Sequence, residues 1–309
     1  MSLELKTFID LPEHIQAGGF DHAAVHQQDG RLYVAHTAND SLDVIDCLAD
    51  RYLHSIPDLK GIAGALVSEE RGLVFTSNRG ENSVGIFTPS SEPALVKVPV
   101  GIGPNGLAFA PQHNLLLVAN VGDTNTPGSH TLSVVDIGLR KIVASIEVAG
   151  RTRWAVFDPQ TQAFHVNIAD PPQVVRVSAA KPNRVANAFP VPAVGPHGLD
   201  LDVDRRLLYC ACDNGNLLAL DIQSGAVRAE LDLSGPPDVI FFNEALRHLY
   251  VAIGEPGVID VFDMTTDTLT EVVSTEKGAH TIAFDAKRNK VYAFLPDTHR
   301  AATYLDTGS

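Results

Sequence analysis

Short apolar runs alternate along the whole chain with turns rich in glycine, proline, asparagine and aspartate. Residues 195–231 show the pattern clearly, because turns such as Asn214-Gly215 and Ser224-Gly225 separate four apolar runs there. Runs of this kind, rich in Val, Leu, Tyr and Phe, predict β-strands joined by hairpins. We find no helical periodicity of useful length, so the pattern predicts an all-β protein.

The four-strand unit recurs seven times. In each unit a turn delivers one residue to the start of the first strand, and a bulky, usually aromatic, residue follows twelve positions later. We call the delivered residues the ring residues; they are Asp21, Ala63, Asn105, Arg153, His197, Asp238 and His280. They lie 42, 42, 48, 44, 41 and 42 positions apart. A period near 40 built from short strands predicts a seven-bladed β-propeller with four antiparallel strands per blade.

The two ends of the chain are expected to complete one blade together. After His280 there is room for only three strands, whereas residues 3–9 form an apolar run that has no blade of its own. Pairing that run with the last strand would close the ring and leave no free sheet edge. We therefore expect residues 1–309 to form a single domain. The longer step of 48 predicts an extended turn over residues 120–131 of blade 3.

The composition of the chain disfavours several classes of function. The net charge is −14, which disfavours nucleic acid, because phosphate binding needs a cationic surface. No apolar run is long enough to span a membrane, so membrane insertion is not expected. No basic and apolar leader opens the chain, which favours the cytoplasm; removal of a signal peptide and a periplasmic location is the alternative. The three cysteines, Cys47, Cys210 and Cys212, are expected to be free and buried.

The repeats resemble those of a known group of proteins. Units such as 103–109, 117–120 and 132–136 resemble the YVTN-type repeats of YncE-like seven-bladed propellers over nearly the whole chain. Similar propellers include gluconolactonase-like hydrolases, streptogramin B lyase and binding proteins without activity. The turn Gly195-Pro196-His197-Gly198 is similar to the Gly-Pro-His turns of the lyase, but the closely spaced Glu-x-His pair of that enzyme does not follow it.

Four ring residues suggest a metal site. Blades 5, 6, 7 and 1 are neighbours in a closed ring, and they supply His197, Asp238, His280 and Asp21. Two imidazoles and two carboxylates that converge suit a divalent ion such as Zn, Mn, Fe or Ca. Ordinary polar lining of a wet channel is the alternative interpretation.

Other residues suggest a substrate site over the same channel mouth. We expect Arg153 to hold a carboxylate or phosphate, with Asn105 and Trp154 beside it and Arg79 and Arg300 on the rim. His36 and His22 are the candidates for moving a proton.

Two further motifs are given structural interpretations. The Gly-x-Gly-x-x-Gly run at 101–106 precedes a strand rather than a helix, so we expect no nucleotide cofactor. The acidic run 200–204 lacks the later ligands of a calcium loop and is interpreted as a solvated turn on the opposite face.

The sequence thus leaves two functions open. The first is a metal-assisted hydrolase of a lactone or ester, or a lyase, that acts on a small anionic substrate. The alternative is a propeller that binds a small molecule, a peptide or another protein without chemistry.

Overall fold

The strands form seven separate four-stranded antiparallel sheets, as the repeat predicts. The structure, a computed structural model, describes residues 3–90 and 94–308. Within these ranges the only helices are the 3₁₀ turns Thr37–Asn39 and Arg79–Glu81, and neither has the length or the apolar character to cross a membrane. The fold class predicted from the repeat, a seven-bladed propeller, is confirmed.

The strands of the first three blades are β2 (Ala23–His26), β3 (Arg31–His36), β4 (Ser41–Asp46) and β5 (Arg51–Ile56); β6 (Ile62–Ser68), β7 (Leu73–Asn78), β8 (Ser83–Phe87) and β9 (Val96–Pro99); and β10 (Pro104–Ala110), β11 (Leu115–Asn120), β12 (Thr131–Asp136) and β13 (Lys141–Glu147). Those of the next three are β14 (Thr152–Asp158), β15 (Ala163–Ile168), β16 (Gln173–Ser178) and β17 (Asn187–Pro190); β18 (Pro196–Asp202), β19 (Leu207–Cys212), β20 (Asn216–Asp221) and β21 (Val227–Asp232); and β22 (Pro237–Asn243), β23 (His248–Ile253), β24 (Val258–Asp263) and β25 (Thr268–Ser274). The last blade holds β26 (Ile282–Asp285), β27 (Lys290–Leu295), β28 (Arg300–Asp306) and β1 (Leu3–Asp10).

The predicted closure of the ring is confirmed. Strand β1 pairs antiparallel with β28, from Leu3 opposite Asp306 to Asp10 opposite Arg300. The side chains of Leu3 and Ile9 are buried against blades on either side of the seam. The chain therefore begins and ends in the same sheet, and no edge is left between the last blade and the first.

The core lies between neighbouring blades. Five of the seven residues that follow the ring residues by twelve positions are aromatic, and all five are buried; they are Tyr33, Phe75, Tyr209, Tyr250 and Tyr292. In blade 4 this position is His165, which is fully buried. Burial lowers the pKa of His165 to about 4, so its imidazole is neutral at pH 7. The three cysteines are free and buried, as expected.

The first strand of most blades carries an irregularity at the ring residue. The pairing register shifts between Pro104 and Leu107, and the equivalent shift occurs in four other blades. A bulge of this kind releases one residue from the ladder and redirects its side chain. The backbone thus turns the ring residues toward the channel mouth.

Glycines after the ring residues let adjacent blades approach closely. A Cβ atom on Gly106 would lie 2.4 Å from the carbonyl oxygen of Arg153, and one on Gly198 would lie 2.6 Å from that of Asp238. Neither distance is possible for a real side chain, so the tight convergence of the inner strands requires glycine there.

The long turn of blade 3 lies on the ring-residue face, as predicted. The amide of Val121 donates to the carbonyl of Gly103 at 2.8 Å, and that of Gly122 donates to Ile102 at 2.9 Å. These bonds hold the start of the turn beside the loop that delivers Asn105.

We expect Ile9→Ala to lower the free energy of unfolding by about 2–5 kcal/mol, because it opens a cavity at the seam. Leu5 lies on the same strand but is 49% exposed, so Leu5→Ala serves as the matched control and should change it by no more than about 0.5 kcal/mol. Urea unfolding measures both. Equal effects of the two variants would show that β1 does not pack as a closing strand.

Candidate functional site

The channel mouth contains a network centred on His197. Its Nδ1 lies 2.7 Å from Oδ1 of Asp213, and its Nε2 lies 3.2 Å from Oδ1 of Asp238. The ring is largely buried, at 15% side-chain exposure. Each nitrogen of the imidazole therefore faces a carboxylate, which favours the doubly protonated form. The nearby charge of Arg153 opposes this protonation but is outweighed by the two carboxylates.

The electrostatics of the network are set by this arrangement. Burial lowers the pKa of His197, but the charge of Asp238 and the hydrogen bonds to Asp213 and Asp238 outweigh it and raise the pKa to about 9. Burial raises the pKa of the Asp238 carboxyl. The neighbouring charge of His197 outweighs burial and holds that pKa well below its usual range. His197 and Asp238 are thus a charged pair at neutral pH.

Arginines surround the same network. Nη2 of Arg153 lies 3.3 Å from Oδ2 of Asp213, and its Nη1 approaches Nε2 of His197 to 3.1 Å. Its Nε is buried and has no hydrogen-bond partner among the described residues. Arg151 is two residues earlier; burial and the charges of Arg153 and Arg79 lower the pKa of its guanidinium. Three guanidinium groups therefore share one region of the mouth.

Asp21 and Asn105 hold the third of these arginines. Nη2 of Arg79 donates to Oδ1 of Asn105 at 2.6 Å and lies 3.4 Å from Oδ2 of Asp21. Ala63, the ring residue between them in sequence, is fully buried and adds no polar group.

The four expected metal ligands are brought only partly together. Nε2 of His280 lies 3.8 Å from Oδ2 of Asp238, so His197, Asp238 and His280 form one row. Asp21 contacts Arg79 and His22 instead. A metal at His197 would have to displace the proton that its two carboxylate partners favour, because imidazole must be neutral to coordinate. Within residues 3–90 and 94–308, no three His, Cys, Asp or Glu side chains are arranged as a ready metal-binding group.

The two histidines proposed to move a proton occupy different places. The ring of His22 packs against Trp154 at a tilt of 46°, with 4.1 Å between centroids, and its Nε2 lies 3.3 Å from Oδ1 of Asp21. Burial lowers the pKa of His22 despite that carboxylate. His36 is fully buried; its Nδ1 lies 2.7 Å from Asp43, and its ring packs against Phe20. No contact joins it to the ring residues in the described part of the chain.

Arg300 is also separate from the mouth network. It begins β28, where its Nε lies 3.3 Å from Oδ1 of Asp10 on the outermost strand. Conversely, Asp213 and Arg151 belong to the site although the sequence analysis did not select them. Asp213 directly follows β19, at the turn beside His197, and that position is the signal by which it could have been found.

The comparisons with known proteins give the fold and no activity. No family model matches the sequence, and no curated protein matches it. A chain of hydrazine synthase from Kuenenia stuttgartiensis is similar in structure, with a TM-score of 0.84 over 96% of this chain and 98% of that chain, at 14% identity. An identity this low shows the seven-bladed propeller alone, and the YVTN-type family stays a prediction.

The raised pKa of His197 makes a prediction about pH. A pKa raised by folding contributes stability that is complete below the unfolded value of about 6.5 and is lost as pH rises toward about 9. The stability difference between the parent protein and His197→Asn should therefore shrink between those limits. Denaturant unfolding at several pH values measures it, with His113→Asn, outside the network, as control. A difference that is constant from pH 6 to 9 would contradict the assignment.

Proposed function

We propose that the channel mouth binds a small anionic ligand, a carboxylate or phosphate. The observation that carries this proposal is the positive charge of the mouth within an acidic protein. Arg79, Arg153 and protonated His197 make ion pairs with Asp21, Asp213 and Asp238, whereas Arg151 makes none among the described residues, and the whole chain carries −14. One anion would complete the local charge balance.

The three arginines differ in their hydrogen-bond and ion-pair partners. Asp213 and Asn105 already accept hydrogen bonds from Arg153 and Arg79. No carboxylate in the described ranges lies within ion-pair distance of Arg151. Its guanidinium is thus the donor most free to meet a ligand, and the paired arginines beside it are fixed in place before binding. Such fixed donors reduce the entropy lost on binding.

This proposal takes up the binding alternative from the sequence. His197 acts in it as a fixed positive charge, and Asp213 and Asp238 act as positioning residues for that charge. Trp154 follows Arg153 in β14, and its ring packs against that of His22.

We expect Arg151→Gln to weaken the binding of succinate or inorganic phosphate by about tenfold, because it removes a charge-assisted bidentate donor. Isothermal titration calorimetry at low salt measures the affinity. Arg228→Gln is the matched control, since Arg228 pairs with Asp221 at an exposed position on another part of blade 5. Equal binding by the parent and Arg151→Gln, or no binding by the parent at millimolar concentrations, would refute the anion site.

A second candidate is hydrolysis or elimination on the bound anion. The orientation of His280 favours it: Nδ1 lies 2.8 Å from the carbonyl oxygen of Gly278 and so carries a proton, which makes Nε2 the accepting nitrogen of the neutral ring. The side chain is 36% exposed at the mouth. A bare imidazole nitrogen at a solvent-filled mouth can accept a proton from an attacking water. A metal that assists this chemistry would be held by His280 and Asp238, with His197 beside them on the same carboxylate.

If this second candidate is correct, the protein should open a lactone that carries a carboxylate, and His280→Ala should lower kcat at least about a hundredfold. His113→Ala controls for loss of a histidine elsewhere. Product formation is followed by pH-stat, with added Zn²⁺ and with chelator. Turnover that His280→Ala leaves unchanged would eliminate this chemistry without affecting the anion-binding proposal.

A further inference from the structure

The opposite end of the channel contains a cavity of a different character. A space of about 510 Å³ is enclosed by the inner strands of blades 1 to 6 and opens between the turns that follow them. His22 of blade 1 and Trp154 of blade 4 meet at its inner end, with their rings in contact. The two rings therefore meet across the channel, between the lining of the cavity and the Asp21 and Asp238 carboxylates of the mouth.

One equivalent position in each blade accounts for much of the polarity and charge of the cavity wall. The residue three positions after each ring residue pairs with the bulky residue of the next strand, as Asp200 does with Tyr209. The seven residues at this position are Ala24, Leu66, Ala108, Val156, Asp200, Phe241 and Ala283. Six are apolar, and three of those are alanines that leave space. Asp200 is the one charged member.

Asp200 was interpreted from sequence as part of a solvated turn, and the structure corrects this. It lies within β18, with Oδ1 accepting a hydrogen bond from the amide of Leu201 at 2.8 Å and Oδ2 accepting one from Phe242 at 2.7 Å. Burial raises the pKa of this carboxyl to about 6, although both amides oppose the rise. The group is thus ionised at pH 7.5, and no cationic side chain of the described residues pairs with it.

The rim of the cavity has the same sign of charge. Glu69 and Glu70 line the opening, and Asp204 and Glu244 line the adjoining groove. No lysine or arginine lines either space within the part of the chain that the structure describes. An anion would be repelled here, whereas a cation with an apolar body would bury hydrocarbon and supply the missing partner of Asp200.

We propose that this cavity binds a small amphiphilic organic cation, an alkyl or aryl ammonium ion whose nitrogen meets Asp200 and whose apolar part lies against Leu66, Val156 and Phe241. The ligand enters from the face opposite the anion site. Trp154 and His22 form the end wall against which the apolar part rests.

The test compares three probes of equal chain length: octylammonium, octanol and octanoate, at pH 7.5. Calorimetry gives the affinities, and fluorescence of Trp154, the single tryptophan of the chain, reports occupancy at the end wall. Octylammonium should bind at least about tenfold more tightly than octanol. The arginine-lined mouth is expected to bind anions. Binding of octanoate is therefore assigned to the cavity only if Ala24→Phe, which fills the cavity, abolishes it.

Variants locate the site. Asp200→Asn should remove the advantage of octylammonium over octanol, while Asp267→Asn, the same change on an exposed turn, should preserve it. If Asp200→Asn fails to fold, the affinities of the three probes for the parent protein and for Ala24→Phe still test the proposal. Octanoate binding in the cavity as tightly as octylammonium, no binding of any probe, or octylammonium binding that survives Ala24→Phe would each overturn the proposal.

Discussion

The pairing of β1 with β28 is the interaction on which the rest of the structure depends. The sheets are joined to one another mainly by side-chain packing, whereas the pairing of β1 with β28 joins strands from opposite ends of the described chain in one sheet through a ladder of backbone hydrogen bonds. The ring residues come from seven separate turns. They converge only because the last blade is fixed beside the first, which places His280 next to Asp238 on one side and the Asp21 turn on the other.

Much of the fold could be predicted from spacing, and the reason is geometric. A ring residue and the bulky residue twelve positions later lie at fixed places on two paired strands, so any blade must repeat that interval. Both members are constrained, one by the bulge at the channel and the other by burial between blades. Tyr209 and Tyr250 satisfy this in adjacent blades, as each is fully buried. The run of residues 200–204 was misjudged because its aspartates suggest a turn, whereas the alternation of a strand directs Asp200 into the channel.

The site was predicted less completely because partner choice depends on side-chain reach. Blade order correctly placed His197, Asp238 and His280 in one row. It could not show that Asp213 would take the other nitrogen of His197, since that contact depends on where the turn after β19 projects. The same uncertainty affected His36 and Arg300, which come from equivalent regions of their blades but turn toward Asp43 and Asp10. The repeat determines the path of the backbone. It does not determine the direction in which each long side chain extends.

The bulge at the start of the inner strands has a consequence for how such a protein can change over time. The glycine that follows several ring residues lets the neighbouring blade approach, and the shift in pairing releases the ring residue from the regular ladder. The same kind of shift accommodates Ala63, Asn105, Arg153 and His197, which share no chemistry. A substitution at one such turn can therefore alter what the mouth recognises while the repeat that builds the blades stays the same.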